Sequence, residues 1–221
     1  MFRAARGPLL ASPVVADEQD VRDAVARSRP VGPASADNAL DDAGNGDGSH
    51  WGSAAWADEH LARTLAAWVI AHELMPCDPA LADTAAFCEA YGIDPADSAN
   101  TIVVAAKENP PRYVACVVLA STRLDVNRAV RTRLGARKAS FATAEETRAL
   151  TGMEIGGVTA VGLPEGLAVW VDAAVMTRGR IVLGGGSRRA KLVVEPAELH
   201  KVPGLVVVEG LARVVAVEGE R

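Results

Sequence analysis

A glycine-rich segment between residues 152 and 162 contains the residues best suited to polarise a carbonyl group through the backbone. Gly156 and Gly157 are adjacent, and Val158 and Thr159 follow them directly. Because glycine lets a ligand approach the main chain closely, exposed N–H groups in such a segment can bind a carbonyl oxygen or an oxyanion. Plain loop flexibility explains the same pattern equally well.

A second glycine cluster is followed directly by polar and basic residues. It consists of Gly184, Gly185, Gly186, Ser187, Arg188 and Arg189. Flexible backbone N–H groups beside two guanidinium groups can cradle an anion. A three-glycine hairpin turn is an equal alternative, because glycine tolerates a positive φ angle.

Other common catalytic sets are not readable in the sequence. The histidines lie outside both glycine segments, at His50, His60, His72 and His200. Asp172 ends an apolar run, so its carboxylate either orients a loop or caps a helix. The cysteines Cys77, Cys88 and Cys116 have neither the CxxC pattern nor the Cys/His spacing of a zinc site, and therefore indicate reduced thiols in a cytoplasmic protein. We expect no cofactor and no metal.

The charge of the chain is unevenly distributed along its 221 residues. The formal net charge is −5, but residues 1–100 contain 6 Lys or Arg and 16 Asp or Glu, whereas residues 101–221 contain 17 and 12. An apolar content of 49% with 23% charged residues excludes full-length disorder. No apolar run reaches the roughly 18 residues of a membrane span.

A basic segment follows the first half of the chain. Six Lys or Arg residues stand against the single acid Asp125 in residues 123–138. In a helix that buries Val126, Val130 and Leu134, the side chains of Arg128, Arg131 and Arg133 point outward. This face is either an ordinary solvated surface or a docking surface for a phosphate backbone.

The elements that position these residues indicate an α/β fold with α+β character and a mixed sheet. Residues 1–55 are predicted to be a flexible acidic leader, and residues 56–221 to be one domain. Residues 68–74 either continue the preceding helix or form a strand, which their β-branched content favours. Helices are predicted at residues 58–67, 78–92, 125–134, 143–150 and 195–199, and strands at residues 101–106, 113–120, 138–141, 168–172, 180–183 and 191–194.

Taken in order, several short motifs carry a resemblance that covers roughly residues 57–200. They are Tyr91-Gly92-Ile93 before residues 101–104, Leu124-Asp125-Val126, residues 134–138, Glu145-Glu146, Thr151-Gly152, Gly156-Gly157-Val158, Asp172 and residues 184–188. This order and spacing resemble the YbaK/ProX family of aminoacyl-tRNA editing domains, which is also found inserted in bacterial prolyl-tRNA synthetases.

The resemblance implies a compact domain with a mixed, partly barrel-like sheet that hydrolyses a mischarged aminoacyl-tRNA. The usual substrates would be cysteinyl- or alanyl-tRNA for proline, attacked by water or by the substrate's own side chain. The implied pocket for the aminoacyl group and terminal adenosine is formed by the glycine loop, here residues 156–160, and by a lysine before the first hairpin strand. The resemblance also favours a strand at residues 68–74.

Two positions depart from the pattern of this family. Asn100 occupies the lysine position, where it can donate a hydrogen bond but supplies no positive charge. Ala160 replaces the proline that closes the glycine loop, and this loosens the backbone there.

Two functions therefore follow, with a weaker third. The first is a trans-acting deacylase, with aminoacyl-tRNA and prolyl-tRNA synthetase as partners and with neither DNA nor a membrane. The second is an inactive relative that binds tRNA or a small aminoacyl-like ligand, and the third is an interaction module whose leader docks another protein. The predicted catalytic residues are Asn100, Gly156, Gly157, Val158 and Thr159. The predicted substrate-binding residues are Thr101, Ala160, Met153, Asp172, Gly185, Gly186 and Ser187, and those for tRNA are Arg128, Arg131, Arg188 and Lys191.

Overall fold

A computed structural model describes residues 19–21 and 53–214, and all structural statements below concern these residues. The predicted leader, residues 1–55, lies outside this part of the chain except for residues 19–21, which are helical, and residues 53–55. Helix α1 spans Ala54–Ala67 and therefore begins within the predicted leader. Its start is capped by Ser53, whose hydroxyl accepts a hydrogen bond from the Trp56 N–H.

The strand predicted at residues 68–74 is wrong. Helix α1 ends at Trp68, and Val69 adopts a positive φ of 52°. The Ile70 N–H then donates to the Leu65 carbonyl at 3.0 Å, so the need to close the helix end overrides the β-branched propensity. The strand β1 starts only at Glu73 and spans Glu73–Pro76.

The single helix predicted over residues 78–92 is divided in two. Asp78 caps a 3₁₀ turn at Pro79–Leu81, and α2 spans Thr84–Tyr91 after Asp83. Asp83 has extended backbone angles and interrupts the helix. The predicted end at Gly92 is confirmed, because this residue has the left-handed conformation that terminates helices.

The main sheet has five strands, in the spatial order β5 (Ala139–Phe141), β2 (Ala99–Ala106), β3 (Arg112–Leu119), β6 (Ala168–Asp172) and β9 (Leu205–Val208). The predicted hairpin is confirmed as β2, Ala99–Ala106, paired antiparallel with β3, Arg112–Leu119. Strand β3 pairs parallel with β6, which pairs parallel with β9, and β5 is antiparallel to β2. The later strands are β4 at Thr122–Leu124, β5 at Ala139–Phe141, β6 at Ala168–Asp172, β9 at Leu205–Val208 and β10 at Ala212–Val214.

A second sheet of three strands, β1-β8-β7, lies against the first. Strand β7 spans Ile181–Gly185 and β8 spans Ser187–Val194, so both are longer than predicted. A parallel bridge between Ser98 and Val182 connects the two sheets. The strands therefore curve around a shared core of apolar side chains, which is the mixed, partly barrel-like arrangement that was predicted.

The remaining helices are short. Helix α3 consists of a π turn at Val126–Val130 followed by Arg131–Arg133, with Val126, Val130 and Leu134 buried as predicted. Helix α4, Ala144–Thr151, starts with the predicted capping box, and α5 spans Ala173–Met176. The predicted closing helix is a 3₁₀ helix at Pro196–Lys201. The two strands that follow it, β9 and β10, were not predicted. No helix in the described ranges has both the length and the apolar character to cross a bilayer.

Candidate active site

A cavity of about 330 Å³ opens where β2, β7 and β8 meet the glycine loop and the start of α2. Its lining combines backbone groups with a few polar side chains. The lining residues include Asp83, Thr84, Asn100, Thr101, Phe141, Ile155, Gly156, Val158, Gly184 and Lys191.

Asn100, Gly184 and Lys191 come from three different strands and line the same cavity. Gly184 pairs with Lys191 across β7 and β8. A single parallel bridge between Ser98 and Val182 joins β2 to β7, and beyond it Asn100 and Gly184 both line the cavity. Asn100 and Lys191 therefore line the same cavity, to which Gly184 contributes no side chain.

The glycine loop lies directly over Gly184. A Cβ atom on Gly184 would come within 2.3 Å of the carbonyl oxygens of Gly157 and Val158. A Cβ on Gly157 would come within 2.2 Å of the Ser187 carbonyl oxygen. Glycine at both positions is therefore required for the close approach of two backbones rather than for flexibility.

Apart from Gly184, the second glycine cluster holds this loop instead of lining the cavity. The Gly186 N–H donates to the Gly157 carbonyl at 2.7 Å, and the Glu154 N–H donates to the Gly186 carbonyl at 3.1 Å. Gly185 packs against the Ala190 backbone, and the buried Ser187 hydroxyl donates to Asp58. Of the two predicted alternatives, the hairpin turn is confirmed, because Gly185 pairs with Ser187 across the turn between β7 and β8 and Gly186 has a positive φ of 85°. The Gly186 N–H and carbonyl are bonded to the glycine loop, which does not fit the anion cradle.

The predicted backbone donors of the loop fall into two groups. The Gly157 N–H donates to the Glu154 carbonyl at 2.8 Å, and the Thr159 N–H points at the Met153 sulfur at 3.5 Å. Neither is available for a ligand. The N–H groups of Gly156 and Val158 have no hydrogen-bond acceptor within residues 53–214, and both residues line the cavity. These two remain as candidate donors to a carbonyl oxygen.

Lys191 brings a positive charge into the cavity wall. Its side chain is buried, with 5% of the residue exposed, so the predicted contact with a surface phosphate does not fit its position. The Nζ atom donates to the carbonyl oxygens of Ala82 at 2.6 Å and of Gly156 at 2.9 Å. It also lies 4.9 Å from the centre of the Phe87 ring. Burial lowers the pKa of this ammonium group.

Asn100 contributes an oriented amide to the same cavity. Its Oδ1 atom accepts a hydrogen bond from the Thr84 hydroxyl at 2.6 Å. The amide nitrogen has no acceptor in the described part of the chain, which leaves its two protons for a bound molecule. The neighbouring Thr101 hydroxyl is buried and also lacks a partner among the described residues.

Arg188 ties the rim of the cavity together. Its guanidinium donates to both carboxylate oxygens of Asp83 at 3.1 and 3.3 Å, to the Pro79 carbonyl at 2.9 Å and to the Ile155 carbonyl at 3.0 Å. The hydrogen bonds from Arg188 hold the pKa of the Asp83 carboxyl below its usual range. Asp83 was not predicted as a site residue, because the sequence pattern placed it inside a helix.

Several residues predicted from the sequence serve the fold instead. Thr159 and Met153 are fully buried and do not line the cavity. Ala160 lines a separate apolar groove of about 700 Å³. Asp172 accepts hydrogen bonds from the N–H groups of Ala174 and Ala212, both at 2.9 Å, so of the two predicted roles it has the capping one.

Helix α1 contacts Gly162, at the end of the glycine-rich segment of residues 152–162. The His60 Nε2 lies 2.7 Å from the Gly162 carbonyl oxygen, and the His60 ring stacks on Trp56 with centroids 4.6 Å apart. From the same helix, Asp58 contacts both Ser187 and Arg189.

The mouth of the cavity is apolar and adjoins the basic segment. Phe141 and Ile155 are 54% and 46% exposed there. In helix α3, Arg128 is exposed, whereas Arg131 bonds to the Asn127 carbonyl and Arg133 to the Glu209 carbonyl. Lys138 is exposed three residues before Phe141, at a distance of about 10 Å along an extended chain.

The fold and the cavity define a compact α/β domain whose cleft is lined by hydrogen-bond donors. The chain belongs to the aminoacyl-tRNA editing domain family, whose model matches residues 78–202, more than half of the 221 residues. The predicted resemblance to YbaK-type editing domains is thereby confirmed.

Solved structures show the same fold. The crystal structure of a hypothetical protein is 25% identical, has a TM-score of 0.63, and is matched over 70% of this chain and 99% of that chain. A second crystal structure, of a protein proposed to be a trans-editing enzyme for prolyl-tRNA synthetase, is 22% identical with a TM-score of 0.61. That match covers 69% of this chain and 95% of that chain.

Proposed function

We propose that this chain is a trans-acting deacylase that hydrolyses the ester bond of a mischarged aminoacyl-tRNA, of the Cys-tRNA(Pro) or Ala-tRNA(Pro) type. We assign the activity to residues 56–221, with the acceptor end of the tRNA as ligand and prolyl-tRNA synthetase as a partner. Membership of the editing family supports the general reaction. The three cysteines of the described chain are free thiols, which fits the cytoplasm, where aminoacyl-tRNA is made.

One observation carries the proposal: the polar groups available to a ligand around the cavity are mainly donors. Gly156 and Val158, whose N–H groups are unpaired within the described residues, Asn100 with its amide and Lys191 with its ammonium all line it. Such a set suits the oxygen of an ester carbonyl, which gains negative charge when a nucleophile attacks.

The volume of the cavity supports a small aminoacyl group. At about 330 Å³ it lies near the lower end of the range of roughly 300 to 1,000 Å³ for small-molecule sites. The exposed Phe141 and Ile155 at the mouth offer apolar surface to the base of the terminal adenosine.

The proposed reaction needs little acid–base chemistry from the protein. Water, or a nucleophilic side chain of the substrate such as a cysteine thiol, attacks the carbonyl carbon while the donors hold the oxygen. The ester C–O bond then breaks, and the ribose oxygen takes the proton that the nucleophile has lost. The presence of the Lys191 cation favours this reaction over the inactive binding protein that Asn100 and Ala160 led us to consider.

A deacylation assay tests the proposal. Purified protein is incubated with tRNA(Pro) charged with cysteine, alanine or proline, and with other mischarged tRNAs. We expect cysteinyl- or alanyl-tRNA(Pro) to be hydrolysed faster than in buffer, while prolyl-tRNA(Pro) is spared. If every tRNA in the panel decays only at the buffer rate, the protein is not a deacylase.

A further inference from the structure

We infer that the Lys191 ammonium is a catalytic group of this chain, which donates a hydrogen bond to the oxyanion formed from the ester carbonyl. This inference rests on the proposed function. It gives Lys191 a role different from the phosphate contact predicted from its basic character, and it assigns the charge of the site to strand β8.

The hydrogen bonds of Lys191 leave one donor for a ligand. An ammonium group has three N–H bonds, and the carbonyls of Ala82 and Gly156 accept two of them. Among the described residues that line the cavity, Lys191 is the only lysine or arginine. Its third proton is therefore the one charged donor that a carbonyl oxygen in this cavity can meet.

The surroundings of Lys191 do not neutralise its charge. Its Nζ contacts two carbonyl dipoles and the face of the Phe87 ring, and no carboxylate lies within ion-pair distance of it in the described structure. The charged and titratable groups that face it are Asp83, Arg188, Cys77 and Cys88, and the Asp83 carboxylate is already paired with Arg188. Negative charge that develops beside a buried cation without a counter-ion is strongly stabilised by it.

The step is balanced without a proton from Lys191. Oxygen of the attacking water bonds to the carbonyl carbon, and the C=O π electrons move to the oxygen that faces the third ammonium proton. When the tetrahedral intermediate collapses, the bond to the ribose oxygen breaks and that oxygen receives a proton from the water. The products are the free amino acid and tRNA.

The geometry also predicts that a lysine at position 100 can supply the positive charge from another wall of the cavity. Asn100 and Lys191 line the same cavity from two different strands, so a longer cationic side chain at position 100 brings a charge into the same space. A protein that lacks Lys191 should therefore recover activity when Asn100 becomes lysine.

The experiment compares Lys191→Gln, Lys191→Met and the double variant Asn100→Lys/Lys191→Gln with the natural chain. Glutamine keeps a donor for the two carbonyls but has no charge, so it separates catalysis from packing. Lys107→Gln, at the exposed hairpin turn, is the matched control. Steady-state kcat and KM are measured on the mischarged tRNA that the natural chain hydrolyses fastest, and circular dichroism reports folding.

We expect kcat to fall about 100-fold or more in Lys191→Gln, as when one oxyanion donor is lost, with KM within threefold. The double variant should regain at least tenfold, and the control should match the natural chain. Folded Lys191 variants within threefold of the natural kcat would overturn the inference and leave the deacylase proposal standing. The inference would also be overturned if the double variant stayed inactive and KM rose strongly in Lys191→Gln, since Lys191 would then only shape the cavity. A natural chain without turnover on any tRNA would overturn both.

Should neither single variant fold, the folded double variant decides. Turnover at a tenth or more of the natural rate supports the inference, and turnover at the buffer rate overturns it.

Discussion

The Nζ atom of Lys191 lies 2.9 Å from the carbonyl oxygen of Gly156, so a side chain of β8 directly holds the backbone of the glycine loop. The same nitrogen reaches the Ala82 carbonyl at 2.6 Å, which connects the loop to the turn before α2. One buried lysine therefore connects two walls of the cavity.

Replacing Gly184 by alanine should displace the glycine loop. The added Cβ would lie 2.3 Å from two loop carbonyl oxygens, closer than real contacts allow. We expect a loss of about 1–3 kcal/mol in the free energy of unfolding, the usual cost of overpacking, and a fall in kcat, because the loop donors move. Urea unfolding and deacylation rates measure both. Gly179→Ala is the control, since a Cβ there meets no atom within 4 Å. Equal behaviour of the two variants would contradict the packing argument.

The deacylation rate should fall on the alkaline side at a pH below the ordinary lysine pKa of about 10.4. Burial lowers the pKa of Lys191, and Arg188 contributes in the same direction, whereas Cys77, Asp83 and Cys88 oppose it. As pH rises through this lowered pKa, the ammonium loses its charge and the oxyanion loses its donor. The measurement is kcat against pH after subtraction of the buffer rate, with Lys191→Gln as reference. An alkaline limb that persists in Lys191→Gln would assign it to another group.

Replacing Arg188 by glutamine should change the rim of the cavity rather than the affinity for tRNA. Without the guanidinium, the lowered pKa of Asp83 should return toward its usual value of about 3.9, which NMR titration can follow. Because the folded-state pKa of Asp83 is depressed, its contribution to stability is present above the ordinary pKa and disappears as pH falls through the lowered one. We expect Arg188→Gln to be less acid-sensitive in this range. It should also lower kcat, since the Ile155 carbonyl loses its donor.

Binding of tRNA should weaken as salt rises, through the exposed Arg128 and its neighbours. Neutralising a residue that contacts a phosphate reduces the slope of log affinity against log salt by about one. We expect Arg128→Gln to raise KM several-fold with kcat unchanged. Arg180→Gln, at the far end of β7 where Arg180 pairs with Glu73, should leave both constants as they are. A salt-independent KM would remove helix α3 from the tRNA interface.

The parts of the fold predicted correctly depend on local signals. The β-branched runs specified the hairpin, and Thr143 with Glu146 specified the start of α4. The errors arise where a distant group decides the backbone. The helix predicted over residues 78–92 breaks where the Ala82 carbonyl accepts from Lys191, 109 residues away.

The site was predicted in part for the same reason. Asn100, Gly156 and Val158 do line the cavity, because a motif places them. Lys191 could not be placed there from its own sequence neighbours. Its position depends on the register of β7 with β8 and on the bridge from β7 to β2, and no local pattern encodes that register. Asp83 was not predicted because its role depends on the ion pair with Arg188, which lies 105 residues away in the chain.

The contact between His60 and the Gly162 carbonyl has a consequence for where the functional unit begins. His60 belongs to α1, which precedes the matched segment of residues 78–202. A chain shortened to that segment would lose the partner of the last loop carbonyl and the carboxylate of Asp58 that meets Ser187. Helix α1 therefore belongs to the folded unit that carries the cavity, although the matched family segment does not contain it.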